Sequence, residues 1–325
     1  MDLKNKKIIF ITPRFYHYDD LIKRKLEGFG AKVTLIHERF YGVKHLVLSH
    51  LGQRFYSFAS KKRYNVILEK LNEHYDYLFI IRGESLPVEF VKSVKAKNKN
   101  IKTIMYQWDS LVNHDYSNLL PEIDFSFSFD KKDCESIKDL NYKPLFYTKI
   151  MENKDRKLDL LVVSTYLRER YYNLLELQRI CESENIKYKI YMYTPKARFY
   201  MERIFHNVKI SCNFLYHSYL SEKELNEYYR ITNCIMDISN GNQSGLSMRV
   251  IESIGAQCKL ITTNKNIIKE DFYNSNNIAI VSSMDEVADK IIELNKTDFI
   301  ANGSIDKMYI DNWLKDFFEI TNAEG

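Results

Sequence analysis

The sequence predicts an α/β protein of two domains, each built on a parallel sheet with helices packed against it. Three observations carry that expectation. At 325 residues the chain exceeds what one hydrophobic core usually organises, and two domains of about 150 residues each suit it better. Short β-branched or aromatic runs alternate with longer helical patterns from end to end, the order of βα units rather than of a sandwich or bundle. The alternation breaks once, at the charged stretch MENKDRKLD (Met151–Asp159), and a second series then begins.

In the first series KIIFITP (Lys7–Pro13) is a continuous apolar run of strand length, as expected of a strand covered on both faces. A helix over His17–Phe29 follows and stops at Gly30, a residue suited to the position after a helix end. AKVTLIHE (Ala31–Glu38) is the second strand. An irregular basic and aromatic stretch leads to a helix near Lys61–His74, then to the strand DYLFIIRG (Asp76–Gly83). Pro87 opens the next helix, since its missing N–H costs nothing in a first turn. KTIMYQWD (Lys102–Asp109) and DFSFSFD (Asp124–Asp130) are further strands, and NYKPLFYT (Asn141–Thr148) closes the sheet.

The second series runs from the strand DLLVVST (Asp159–Thr165) through a helix ending at Ser183 to YKIYMY (Tyr188–Tyr193) and NCIMDIS (Asn233–Ser239). LSMRVIESIGA forms a helix, CKLITTN (Cys258–Asn264) and NIAIVSS (Asn277–Ser283) two strands, and another helix starts near Asp285. Over Ser304–Glu319 the residues Ile305, Met308, Tyr309, Trp313, Phe317 and Phe318 recur close to helical spacing. The expected organisation is therefore a Rossmann-like domain over 1–150, a second over 151–304, and a terminal helix over 305–325.

Composition narrows the classes of function. No apolar run approaches the roughly 20 residues that span a bilayer. The lysines and short apolar run at the N-terminus stop at Pro13-Arg14, too early for a signal peptide, so the expected location is cytoplasmic. The five cysteines are far apart and the eight histidines show neither HExxH nor i, i+4 pairing, which predicts reduced thiols and no metal. A net charge of +5 with nearly balanced acids and bases does not point to nucleic acid, although it suits anionic ligands. With ten glycines and no GxGxxG, a nicotinamide or flavin cofactor is not expected.

The most informative stretch is NGNQSGLSMRVIESIGAQCKLITTN, Asn240–Asn264. It leaves the C-terminal end of a strand, passes through a small polar loop, enters a helix and emerges into a strand. In open α/β sheets ligands bind at that strand edge. A helix starting at Gly245-Leu246 would aim free N–H groups and the positive end of its dipole there, which favours a phosphate. Arg249 lies one turn in and can add charge to the same anion, and Glu252 follows three residues later with a carboxylate suited to ribose hydroxyls. The plainer reading is a surface ion pair between Arg249 and Glu252.

This stretch resembles the donor-binding segment of GT-B glycosyltransferases, most closely the QxGLxMRxxExxGAxxKLITTN version of bacterial lipopolysaccharide and capsule transferases, CgeB-like proteins included. The resemblance is specific over roughly 25 residues and topological elsewhere. It implies two Rossmann-like domains facing across a cleft, with acceptor bound by the first, nucleotide sugar by the second, and the terminal helix crossing back to the first. Ser244, Gly245 and Arg249 would hold the diphosphate and Glu252 the ribose or donor sugar. Arg168 or Arg170, after the first strand of the second domain, would add a cation; the plainer reading points both into solvent. The donor implied is a nucleotide sugar, most commonly a UDP-sugar, used without a metal ion, and the acceptor is a glycan or lipid-linked glycan.

In the first domain the strand ends carry Arg14 and Tyr16, Arg82 and Glu84, and Asp109. Asp109 is the candidate general base for an acceptor hydroxyl, with Glu84, His17 and Asp19 as competitors. Arg14, Tyr16 and Arg82 are candidate acceptor contacts. A strand-end Asp also commonly caps the following helix. Lys44–Arg63 mixes basic, aromatic and aliphatic residues, either as a contact with anionic membrane at the inner face of the plasma membrane or as a helix packed on the sheet. The alternatives to transfer are a nucleotide-sugar 2-epimerase and a non-catalytic two-domain binding protein.

Overall fold

The computed structural model describes residues 3–15, 17–148, 156–205, 213–239 and 244–323. The chain divides into two compact units. The first comprises Met1–Pro144, Asn242–Gly245 and Asp311–Gly325, the second Leu145–Gly241 and Leu246–Ile310.

In the first unit β1 (Lys7–Thr12), α1 (Tyr18–Gly28), β2 (Lys32–His37), α2 (Gly42–His50), α3 (Gln53–Lys70), β3 (Tyr77–Ile81), α4 (Val88–Lys97), β4 (Lys102–Gln107), β5 (Phe125–Ser128), α5 (Lys131–Ser136) and β6 (Leu140–Tyr142) follow one another. The strands form one parallel sheet in the order β2-β1-β3-β4-β5-β6. The chain changes direction across the sheet between β1 and β3, the switch point where open sheets bind ligands. All five residues of β3 are buried, as its uninterrupted apolar sequence requires.

The second unit contains β7 (Leu158–Thr165), α6 (Arg168–Ser183), β8 (Tyr188–Tyr193), α7 (Lys196–Phe205), β9 (Leu215–Tyr216), α8 (Glu222–Ile231), β10 (Thr232–Asp237), α9 (Met248–Gly255), β11 (Lys259–Thr262), β12 (Ile278–Ile280) and α10 (Val287–Leu294). Its parallel sheet runs β12-β11-β10-β7-β8-β9, so the switch point lies between β7 and β10. The two sheets are the α/β pair that the alternating sequence predicts.

Several elements differ from expectation. The stretch before Lys61 is helical: α2 and α3 replace the irregular segment, and α3 ends at Lys70. None of the side chains of α2 is buried, so no inward apolar stripe marks it in the sequence. Helices α7 and α8 were also not expected, although α8 carries a legible start signal, the reciprocal capping pair of Ser221 and Glu224.

The terminal stretch divides into a short 3-10 turn over Gly303–Met308 and α11 (Ile310–Ala323). From Asp311 onward α11 belongs to the first unit, as the crossing terminal helix requires. Trp313, Leu314, Phe317 and Phe318 are fully buried. Trp313 packs edge-on to Tyr106 at 4.9 Å, Phe317 lies 5.3 Å from Phe79, and Phe318 meets Tyr77 at 5.0 Å. The Trp313 indole N–H donates to the Pro144 carbonyl at 2.8 Å. Trp313→Ala is therefore expected to cost the first unit about 3–5 kcal/mol. The remaining tryptophan, Trp108, lies in the same unit, so its fluorescence through a urea titration reports that loss.

Candidate functional site

In the second unit the switch point gathers charge. Asp237, at the end of β10, is almost wholly buried and accepts from the Ser247 hydroxyl at 2.7 Å and the Thr262 hydroxyl at 3.2 Å. Burial raises its carboxyl, an effect opposed by the Ser247 hydrogen bond and by the Arg170 guanidinium. Arg170, in the first turn of α6, donates to the Thr165 carbonyl at 3.0 Å, and burial lowers its guanidinium from the usual value. Ser164 Oγ and Arg170 Nε are buried without a hydrogen-bond partner among the described residues. A guanidinium N–H and a hydroxyl buried without partners at a strand edge suit a hydrogen-bonding ligand.

The helix after β10 begins at Met248 rather than at Gly245-Leu246. Ser247 takes the cap position and its hydroxyl accepts from Val250 N–H. Residues Ser244 and Gly245 therefore precede the helix. Their N–H groups donate to Asp130 Oδ2 at 3.1 and 3.2 Å, and the Ser244 hydroxyl donates to Asp130 Oδ1. Three donors converging on one carboxylate are the type of cradle that also suits a phosphate. A Cβ at Gly245 would lie 2.4 Å from the Phe129 ring, so this position needs glycine.

Within α9, Arg249 Nη1 donates to Glu252 Oε2 and, at 3.1 Å, to the Tyr229 hydroxyl. Tyr229 donates in turn to Glu252 at 2.7 Å. Glu252 and Tyr229 are buried, so this is a packed triad rather than an exposed pair. Arg168 stands apart, held by Glu202 of α7 at 2.7 Å.

In the first unit Arg82 adopts a left-handed backbone with φ of 69°. Its side chain sits among three carboxylates: Nε lies 3.7 Å from Glu38 and 3.5 Å from Asp109, and Nη2 pairs with Glu84. Arg39 reaches Glu84 at 3.2 Å, and Glu84 N–H donates to Glu38 at 3.0 Å. The ends of β2, β3 and β4 thus meet in one cluster. Glu38 is completely buried, and desolvation pushes its carboxyl up to about 7 against the pull of Arg82 and Arg39. Burial also raises Asp109, again opposed by Arg82. His114 is held down to about 4, first by burial and then by Arg82, and its Nε2 has no hydrogen-bond partner among the described residues.

Beside this cluster a cavity of about 770 Å³ opens in the same unit. Arg39, Glu84 and His114 line it from the cluster, and His45, Gln53 and Tyr56 line it from the inner sides of α2 and α3. A polar lining of this sort suits a polyhydroxylated ligand.

Glu38 provides a direct test of these electrostatics. Its folded-state value lies above the ordinary 4.5, so its favourable contribution is complete below about pH 4.5 and is lost as pH rises through about 7. The stability of Glu38→Gln relative to wild type is expected to rise by about 3 kcal/mol across that window. Urea midpoints read from tryptophan fluorescence between pH 4.5 and 8 check it.

The structure therefore brings Arg82, Glu84 and Asp109 together, joins Arg249 to Glu252, and pairs Ser244 with Gly245 on Asp130. Arg14 rests on Tyr41, its guanidinium 5.2 Å from a ring centre that Arg39 of the cluster also covers at 5.6 Å. Among the other base candidates Asp19 is engaged by His37 at 3.0 Å. Tyr16 lies outside the described residues. Sequence reasoning missed Glu38, His114, Asp130 and Asp237; Glu38 and Asp237 each close an apolar strand run, which was the available signal.

No family model matches the chain, and no curated protein sequence matches it. Solved structures do. The apo form of the lipopolysaccharide outer core galactosyltransferase WaaB is similar with a TM-score of 0.58 at 11% identity, covering 98% of this chain and all of that one. An α,α-trehalose-phosphate synthase (UDP-forming) from Burkholderia xenovorans, in complex with glucose-6-phosphate, has a TM-score of 0.63 at 11% identity, covering 97% and 99%. A putative UDP-N-acetylglucosamine 2-epimerase from Listeria monocytogenes has a TM-score of 0.55 at 10% identity, covering 99% and 98%. The likeness extends over essentially the whole chain and gives the fold, two Rossmann-like units of the GT-B type.

Proposed function

We propose that this protein is a glycosyltransferase that moves a sugar, most commonly a hexose, from a UDP-sugar to a surface-polysaccharide or lipopolysaccharide precursor in the cytoplasm. The observation that carries the reading is the switch point of the second unit, where Arg170, Asp237 and Ser247 meet beside the start of α9. Arg170 and Arg249 of the second unit are assigned to the diphosphate, and Glu252 to the ribose or donor sugar; the donors of Ser244 and Gly245 are taken up by Asp130. The first unit takes the acceptor, with Asp109 as base. In the transfer the bond between the anomeric carbon and the diphosphate oxygen breaks, a glycosidic bond forms to the acceptor oxygen, and the acceptor proton passes to Asp109. The charge left on the nucleoside diphosphate is met by arginine side chains, without a resident metal.

The GT-B fold, together with a donor-segment motif over Asn240–Asn264, supports transfer. The likeness to a 2-epimerase keeps epimerisation as the second reading. Incubating the protein with UDP-hexoses and membrane or glycan extracts, while following free UDP and the donor by NMR, separates the two. Transfer releases UDP only when acceptor is present. Epimerisation changes the sugar's stereochemistry with UDP still attached and no acceptor added.

A further inference from the structure

We infer that the outer face of α2 and α3 docks on an anionic lipid bilayer. Residues 39–68 contain six lysines and arginines and no aspartate or glutamate, in a chain whose acids nearly equal its bases. On this hairpin Val43, Leu46, Val47, Leu51, Phe55 and Phe58 are each between 52 and 77% exposed. Val43, Leu46 and Val47 share one face of α2, and Phe55 and Phe58 one face of α3. Since α2 buries none of its side chains, these apolar residues do not serve the core of the unit.

The inner sides of the helices are differently employed. His45 Nδ1 and the Tyr56 hydroxyl meet at 3.1 Å, joining α2 to α3 over the polar cavity. The hairpin is thus polar where it walls the cavity and apolar with a cationic rim, Lys44, Arg54 and Lys62, where it faces outward.

Of the partners that could cover such a face, a bilayer carrying anionic headgroups matches both features. Phenylalanine, leucine and valine enter the boundary of the acyl chains while lysine and arginine remain at the phosphates. A second copy of the chain in a two-fold contact would bring cations of this face against the same cations. A nucleic acid would leave the apolar residues unmatched. Among the described residues no helix is long and apolar enough to cross a membrane, so the contact is one of surface docking.

Docking does not rest on the transferase reading, because none of these outward-facing residues is assigned to the donor, the acceptor or the base. The test is co-sedimentation with phosphatidylcholine vesicles, with and without phosphatidylglycerol. Wild type is expected to pellet with phosphatidylglycerol vesicles at least about tenfold more strongly than with phosphatidylcholine alone. Leu46→Ser/Phe55→Ser/Phe58→Ser should stay in the supernatant, and Lys44→Gln/Arg54→Gln/Lys62→Gln should lose the preference for anionic lipid. All six positions are at the surface, and an unchanged melting temperature confirms that the variants are folded. Failure of wild type to pellet with phosphatidylglycerol vesicles, or equal pelleting with both lipids, overturns the proposal. So does a wild-type dimer in sedimentation velocity that the triple serine variant disperses, since the face then belongs to a second copy.

Discussion

Replacing Arg82 with alanine is expected to lower the stability of the first unit by about 3–5 kcal/mol at neutral pH, among the largest effects of any single change outside its core. The guanidinium, together with that of Arg39, offsets three neighbouring carboxylates: Glu38 and Asp109 lie 3.7 and 3.5 Å from Nε, and Glu84 pairs with Nη2. Glu38 cannot move into water, because it is completely buried. With the cation removed it escapes the penalty mainly by taking up a proton, which raises its folded-state value beyond the present value of about 7. The deficit of Arg82→Ala should therefore shrink toward pH 5, where Glu38 is protonated in both proteins, and grow toward pH 8. Arg82→Lys restores a charge without the fork and should recover part of the loss. Urea midpoints at pH 5 and pH 8 decide the matter. A deficit below about 1 kcal/mol, equal at both pH values, would show that Arg82 is an ordinary surface ion pair.

The second large effect is expected at Glu252. Glu252→Ala leaves the Tyr229 hydroxyl and the Arg249 guanidinium inside the second unit without their shared acceptor, and a loss of about 3–5 kcal/mol follows. Glu252→Gln keeps an acceptor oxygen for Tyr229 and removes only the charge. It separates the two roles that the residue can have. If Glu252 holds donor hydroxyls, the glutamine variant stays folded but loses the gain of about 2.7 kcal/mol that a nucleotide at a hundredfold over its Kd gives wild type. If Glu252 only anchors Arg249, the variant is less stable and keeps that gain.

The strands were legible in the sequence because a parallel strand covered on both faces is written as a continuous apolar run, as Lys7–Thr12 and Tyr77–Ile81 show. Helix α2 was not, since it lacks the inward apolar stripe on which sequence reading depends and presents its apolar residues outward. The same limit governs the site. Arg82, Glu84 and Asp109 could be placed at strand ends one by one, but their convergence with Glu38 depends on the strand order β2-β1-β3-β4, which no local pattern encodes. Arg249 and Glu252 were legible as a pair through helical spacing, whereas Tyr229, which closes the triad from α8, is twenty residues away from Arg249 along the chain. Ser247 and Asp237 were missed because the helix start was placed at Gly245, two residues before the serine whose hydroxyl actually caps it.

The most direct measurement is a thermal-shift panel of wild type, Glu252→Gln and Arg170→Gln against UDP, GDP, CMP and dTDP. The donor assignment predicts that one nucleotide, UDP first among them, raises the melting temperature of wild type and that both substitutions abolish the rise. If no nucleotide shifts wild type, or if both variants respond as wild type does, the switch point between β7 and β10 is not a nucleotide-sugar site and the transferase reading falls with it.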